Sequence, residues 1–157
     1  MNTTLNIVYF MGSVLGSVAG LFMGLRWLRR YLMPLLTQAP APEYTVMGYL
    51  AGYAFYMHQV LSLSRSGAGI LGLTHFQETG QFLILFFFLT LASQFLLIVL
   101  GWVSVWVTQM TVKPFLQPTA ATVFQAGVWA LLAWISSEAF HALWQSLLVT
   151  VNIDDIR

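Results

Sequence analysis

Apolar residues form four long runs along the chain, separated by shorter polar segments. The runs cover about residues 5–25, 43–64, 81–106 and 119–147. Each has at least the roughly 20 residues that a helix needs to cross a hydrocarbon core about 30 Å thick. None shows the two-residue alternation expected of strands in a membrane barrel. The pattern predicts an all-α, polytopic membrane protein with four transmembrane helices, forming one transmembrane domain over residues 1–157.

Glycine recurs at every fourth position in the first run, and the second run contains a shorter set of the same kind. The residues are Gly12, Gly16, Gly20 and Gly24, followed by Gly48 and Gly52. Small residues at this spacing let helix backbones approach closely in lipid, where helices associate by packing. The first set, here called the glycine ladder, either seats the first helix against the second set in the same chain or joins separate chains. Its length favours assembly between chains.

Composition and charge exclude several classes of protein. The chain is 59% hydrophobic and 7% charged, whereas a soluble domain has about 25% charged residues. A net charge of +1 gives no electrostatic basis for binding nucleic acid. The chain has no cysteine, so disulfides and thiolate metal sites are excluded. The sequence shows no nucleophile, base and orienting group at a spacing typical of a catalytic site. We therefore expect that the protein is not an enzyme and binds no cofactor.

Basic residues predict the orientation in the membrane. Four follow the first and third runs and two lie on the other side: Arg26, Arg29, Arg30 and Lys113 against Arg65 and Arg157. Because cytoplasmic loops carry the excess of Lys and Arg, both termini are predicted to lie outside the cytoplasm. The localisation predicted is the bacterial inner membrane, with the termini on the periplasmic side. The four cytoplasmic cations also suit anionic lipid headgroups.

The two halves of the chain resemble each other. In both, a polar turn begins at a proline, Pro34 or Pro114, and leads into a helix with an Ala-Gly pair, at 51–52 or 126–127. This match predicts two parallel two-helix repeats related by an axis along the membrane normal.

The repeated two-helix unit, its basic cytoplasmic turns and the opening of the last helix by Thr119, Ala120 and Ala121 resemble the YjfL-like bacterial inner-membrane family. The resemblance covers about residues 5–145, although the second half carries bulky tryptophans where that family is richer in glycine. It implies a domain of unknown function that works beside membrane-remodelling or stress-response partners. It assigns no functional residue.

Ionisable residues within the runs are candidates for function because placing them at bilayer depth costs free energy. Glu138 and His58 are predicted at similar depths toward the outer leaflet, where a hydrogen bond between them would act as a structural clasp or a proton relay. An exposed Glu138 reaching water is a further alternative. Gln94 and Gln125 form a second pair, predicted to make an interhelical contact toward the cytoplasmic leaflet.

His141 extends these alternatives to metals and haem. Glu138 and His141 are three residues apart, which is half of a carboxylate-bridged di-iron motif. The remaining ligands are missing, so no metal site is expected. A haem between His58 and His141 is an alternative, but aligning the repeats separates the two residues by about 12 Å along the membrane normal.

The function predicted from these features is a non-enzymatic integral membrane subunit. It is expected to assemble by glycine-mediated helix packing, as a homo-oligomer or with other membrane subunits, in a lipid bilayer. The alternatives are an oligomeric ion or proton channel that uses Glu138 and His58, and a haem-binding redox subunit.

Overall fold

The computed structural model describes residues 3–32, 42–69, 75–111 and 117–154. Helix α1 covers Thr3–Trp27 and continues into a π-helical turn, Leu28–Leu32, while α2 covers Pro42–Gly69, α3 covers His75–Thr111 and α4 covers Pro118–Asp154. Proline opens both α2 and α4, since it lacks only a backbone N–H that the first turn leaves unbonded. The predicted all-α fold with four helices is confirmed.

Three of the helices are long and apolar enough to cross a membrane, which agrees with the predicted membrane protein. The apolar stretches are Ile7–Tyr31, Thr79–Thr111 and Pro118–Leu147. Helix α2 is not among them because it is less apolar, although its 28 residues extend about 42 Å at the helical rise.

Helices α1 and α3 pack side by side in the same direction. A Cβ atom added to Gly12 would lie 2.5 Å from Leu83 Cδ2, and one added to Gly16 would lie 2.5 Å from Phe86 Cε1. Later positions along α1 therefore meet later positions along α3. This contact places the glycine ladder at the α1–α3 interface.

Helices α2 and α4 also run parallel, and they approach closely at Gly48. A Cβ added there would lie 3.0 Å from both the Cα and the carbonyl oxygen of Ala126, while one added to Gly52 would lie 2.9 Å from Ala133 Cβ. Because these are backbone atoms, a side chain at position 48 would require the two helices to move apart by a few tenths of an ångström. The α2–α4 pair and α3 enclose the centre of the bundle.

Large aromatic side chains fill that centre, and other large apolar side chains cover the outside. The largest fully buried residues are Trp129, Tyr49, Tyr56, Phe82 and Phe86. On the outside, Phe10, Phe22 and Ile84 are 67, 69 and 71% exposed. An apolar surface of this extent indicates contact with lipid or with protein partners.

Several features predicted from sequence lie outside the described residues. Lys113, one of the four cations expected at lipid headgroups, is among them, as are the prolines at 34 and 114 that open the two similar segments and the C-terminal Arg157.

Candidate functional site

Four polar side chains on one face of α2 make hydrogen bonds to the three other helices. They are Tyr49, Tyr53, Tyr56 and Gln59, here called the α2 polar ladder. Their spacing of four, three and three residues keeps them on one side of a helix with 3.6 residues per turn. Because these polar groups are satisfied within the bundle, α2 tolerates a lower hydropathy than its neighbours.

The first step of the α2 polar ladder connects α2 to α3 beside α1. The hydroxyl of Tyr49 donates to Gln94 Oε1 at 2.7 Å, and both residues are fully buried. A Cβ on Gly24 would collide with both oxygen atoms. Glycine at this position therefore leaves the space in which the hydrogen bond forms.

The second step connects α2 to α1. The Tyr53 hydroxyl donates to the backbone carbonyl of Ser17 at 2.5 Å. A Cβ on Gly20 would lie 2.9 Å from that hydroxyl and 2.7 Å from Thr90 Cγ2. The absence of side chains on this face of α1 thus exposes its backbone to a tyrosine of another helix.

The last two steps connect α2 to α4. The hydroxyls of Tyr56 and Ser136 are 2.8 Å apart, and Gln59 Nε2 donates to Glu138 Oε1 at 3.0 Å. A further bond joins α4 to α3, since Trp129 Nε1 donates to the backbone carbonyl of Leu97 at 3.0 Å.

The glycine ladder is occupied within the chain. Side chains of α3 and α2 cover all four of its positions. The pairing considered from sequence, in which the ladder faces Gly48 and Gly52, does not occur, because those glycines face α4 and, in part, Leu97 of α3. The ladder therefore packs within the chain, and a chain-to-chain contact through it would require α1 to leave α3.

Glu138, the predicted partner of His58, has a different hydrogen-bond partner in the structure. Glu138 accepts its hydrogen bond from Gln59, the residue next to His58, and both His58 and Glu138 are exposed on the outside of the bundle. His141 is half-buried, and its Nδ1 atom is buried without a hydrogen-bond partner among the described residues. The predicted clasp at this level is therefore made by Gln59 rather than by His58.

The second predicted pair is also rearranged. Gln94 makes its interhelical contact with Tyr49 instead of Gln125. The Nε2 atoms of both glutamines and Thr45 Oγ1 are buried without a partner in the described part of the chain. Trp129 and Leu97 lie between the two glutamines along α4 and α3, which run in opposite directions, so the amides are on different levels of the bundle.

Three of the four cations predicted to contact lipid headgroups are in the described part of the chain, one in α1 and two in the π-helical turn. Arg26, Arg29 and Arg30 are exposed, and the guanidinium of Arg30 lies 5.6 Å from the ring centroid of Tyr31. Among the described residues, no group of three or more His, Cys, Asp or Glu side chains is placed to hold a metal ion.

Sequence reasoning missed the three tyrosines of the α2 polar ladder. The available signal was a set of tyrosines at positions 49, 53 and 56 in an apolar run, on one helix face and followed three residues later by Gln59. Polar groups on a single face of a membrane helix predict a contact with other helices, because lipid offers their hydroxyls no partner.

Comparisons with known proteins give no match. No family model matches this chain, and no curated protein or solved structure matches it. The resemblance to the YjfL-like family stays a prediction.

Proposed function

We propose that this chain is a non-enzymatic integral membrane subunit that assembles with itself or within a larger membrane complex. The observation that carries the proposal is the contrast between a bundle interior closed by interhelical hydrogen bonds and an outer surface of large exposed apolar side chains. Such a surface requires lipid or protein to cover it.

The proposal includes α2 as a fourth membrane-crossing helix. Its length of 28 residues suffices, and its polar face is directed to the other helices through the α2 polar ladder. The parallel directions of α1 with α3 and of α2 with α4 are those that two parallel two-helix repeats would produce. Both features support the topology expected from the hydropathy pattern.

The glycine ladder has an indirect part in this proposal. By seating α1 on α3, it gives the subunit a fixed shape and leaves the opposite face of α1 free for lipid. Assembly then uses an outer face of the bundle. The bacterial inner membrane, with the exposed Arg26, Arg29 and Arg30 at the cytoplasmic headgroups, is the proposed location.

Native mass spectrometry of the full chain released from mild detergent tests the proposal. We expect a multimer, or the chain together with another membrane protein, whose stoichiometry persists as the protein concentration is lowered. A chain that is monomeric in detergent and in lipid nanodiscs and that co-purifies with no other protein would contradict assembly. Extraction of the chain from membranes by alkaline carbonate would contradict the integral membrane location.

A further inference from the structure

Two ionisable side chains lie on the outside of the bundle within its apolar part. Glu138 on α4 and His58 on α2 are both exposed. Beside Glu138, Trp134 and Ile135 are 52 and 58% exposed and form an apolar surface. Ionisable residues at bilayer depth are costly and pair with one another or face a protein interior. An exposed imidazole with no hydrogen bond to a described residue, and a carboxylate with only one, therefore have capacity for partners from outside the single chain.

The two side chains are at the same depth. Gln59 Nε2 donates to Glu138 Oε1 at 3.0 Å across the parallel α2–α4 pair, which places residues 59 and 138 on one level. His58 is the neighbour of Gln59, so it differs in depth by about 1.5 Å, the rise of one helical residue. A twofold axis along the membrane normal moves each residue around the axis without changing its depth. Such an axis can therefore bring His58 of one copy to Glu138 of another.

The hydrogen-bonding capacities of the two groups are complementary. Within the chain Glu138 accepts one bond, from Gln59, whereas His58 makes no hydrogen bond to a described residue. A carboxylate accepts several bonds and an imidazole N–H donates one. In a twofold interface each contact occurs twice, so both acids and both bases are satisfied together.

We propose that a second copy of this chain docks on the α2–α4 face, with the twofold axis along the membrane normal, so that His58 of each copy donates to Glu138 of the other. This inference rests on the proposed function and names the surface through which the subunit assembles. The pair is self-complementary, which favours a second copy over a different protein as the occupant.

The exposed residues around this pair have the spacing of a helix-packing seam. On α2 they are Phe55, His58 and the partly exposed Ser62, and on α4 they are Gly127, Leu131, Trp134 and Glu138. Intervals of three and four residues keep each set on one side of its helix. A Cβ added to Gly127 would meet no atom within 4 Å. This open glycine leaves room for a helix of the second copy.

Disulfide cross-linking between two differently tagged chains tests the contact. The chain has no cysteine, so one chain carries only Ser62→Cys and the other only Ala142→Cys. These positions lie four residues beyond His58 and Glu138 in the same direction, and Ala142 is exposed while Ser62 is partly exposed. We expect oxidation in membranes to yield a linked heterodimer.

The matched control pairs Ala142→Cys with Ala19→Cys, an exposed alanine on α1, and is expected to give no more than background linkage. Failure of the first pair to link while the wild-type chain is multimeric would overturn the proposed face. Equal linkage of the control pair would overturn it as well.

An exchange of the two side chains tests the pairing itself. His58→Glu and Glu138→His each place like groups opposite one another, and we expect each to weaken self-association, measured by energy transfer between labelled chains in lipid vesicles, by about tenfold or more. The double variant His58→Glu with Glu138→His recreates both pairs and is expected to recover the wild-type affinity to within about threefold.

The outcomes separate the two proposals. A wild-type chain that never self-associates and has no partner overturns the proposed function and this inference together. A multimeric wild-type chain whose affinity is unchanged in both single variants, or not recovered in the double variant, overturns only the assignment of the α2–α4 face. Thermal unfolding of each variant in detergent identifies any change that acts through the fold.

Discussion

Glycine at position 24 is needed because of two oxygen atoms that lie beside it. The Tyr49 hydroxyl donates to Gln94 Oε1 in the space that a Cβ on Gly24 would occupy. A methyl group there has to push the two oxygens away, and both residues are buried. The residue that appears in the sequence as part of a packing stripe thus also protects a buried hydrogen bond.

Gly24→Ala is predicted to destabilise the bundle by about 1–3 kcal/mol, because it leaves buried polar atoms without a partner. Gly80→Ala on α3 is the control, since a Cβ at that exposed position meets nothing within 4 Å. The control is expected to be neutral or to stabilise the helix by up to about 1 kcal/mol. Unfolding in mixed detergent micelles, followed by tryptophan fluorescence, measures both. Equal stability of the two variants would contradict the role given to Gly24.

Removing the Tyr49 hydroxyl is predicted to lower the free energy of unfolding by more than the loss of a single oxygen atom suggests. Gln94 Nε2 already has no partner among the described residues, so Tyr49→Phe leaves the whole buried amide without a hydrogen bond at a cost of about 1–3 kcal/mol. In the double variant with Gln94→Leu, neither unpaired group remains, and the two losses are expected to be less than additive.

A double-mutant cycle of unfolding free energies measures this coupling, which we expect to be about 0.6–1.7 kcal/mol, as for hydrogen bonds between membrane helices. Tyr31→Phe, at a tyrosine that is 51% exposed, is the control and is expected to change stability by less than about 0.5 kcal/mol. Additive losses in the cycle would mean that Tyr49 and Gln94 do not depend on each other.

At the scale of helices, hydropathy predicted the number and approximate bounds of the elements. Each apolar run lies within a described helix, because an isolated backbone in lipid has to satisfy its own hydrogen bonds. The partners of the helices were not predictable in the same way. A stripe of small residues indicates that another helix packs closely, but it does not identify that helix. Helix α3 and a helix of another chain fit the stripe equally well.

The polar contacts show the same limit. Gln94 and Glu138 were correctly singled out as polar groups within apolar runs, yet their partners are Tyr49 and Gln59. Depth estimates along each helix cannot distinguish neighbouring residues on one level, such as His58 and Gln59, because the rotation of the helix decides which one faces inward.

Helix α2 is predicted to cross the membrane despite its lower hydropathy. Glu43 and Ser66 are exposed near its two ends and are 23 residues apart in the sequence, which corresponds to about 35 Å at the helical rise. Single-cysteine variants at these positions are therefore expected to react with a membrane-impermeant maleimide from opposite sides. Inside-out and right-side-out vesicles give the two measurements.

Ala54→Cys is the control for this experiment, because it is exposed on the same helix but lies between the two ends. It is expected to be protected from the reagent on both sides until detergent is added. Labelling of residues 43 and 66 from one side would show that α2 does not span the bilayer, and the four-helix topology would then be wrong.

For the molecule as a whole, the distribution of polar and aromatic groups bears on the channel alternative. The centre is filled by large side chains such as Trp129, Tyr56 and Phe86, each 2% exposed or less. Glu138 and His58 are on the outside and contribute nothing to a path through that centre. A proton route through that centre would need a continuous series of polar groups or water.

We therefore predict that liposomes containing the assembled wild-type chain conduct protons no faster than empty liposomes after a pH step, read with an internal pH-sensitive dye. Glu138→Gln keeps the shape of the side chain and its ability to accept from Gln59, so it should leave that rate unchanged. Gramicidin, added at the end, verifies that the vesicles hold a gradient. A rate well above that of empty liposomes that falls in Glu138→Gln would establish the conduit instead, because a purely structural contact at Glu138 has no reason to alter proton flux.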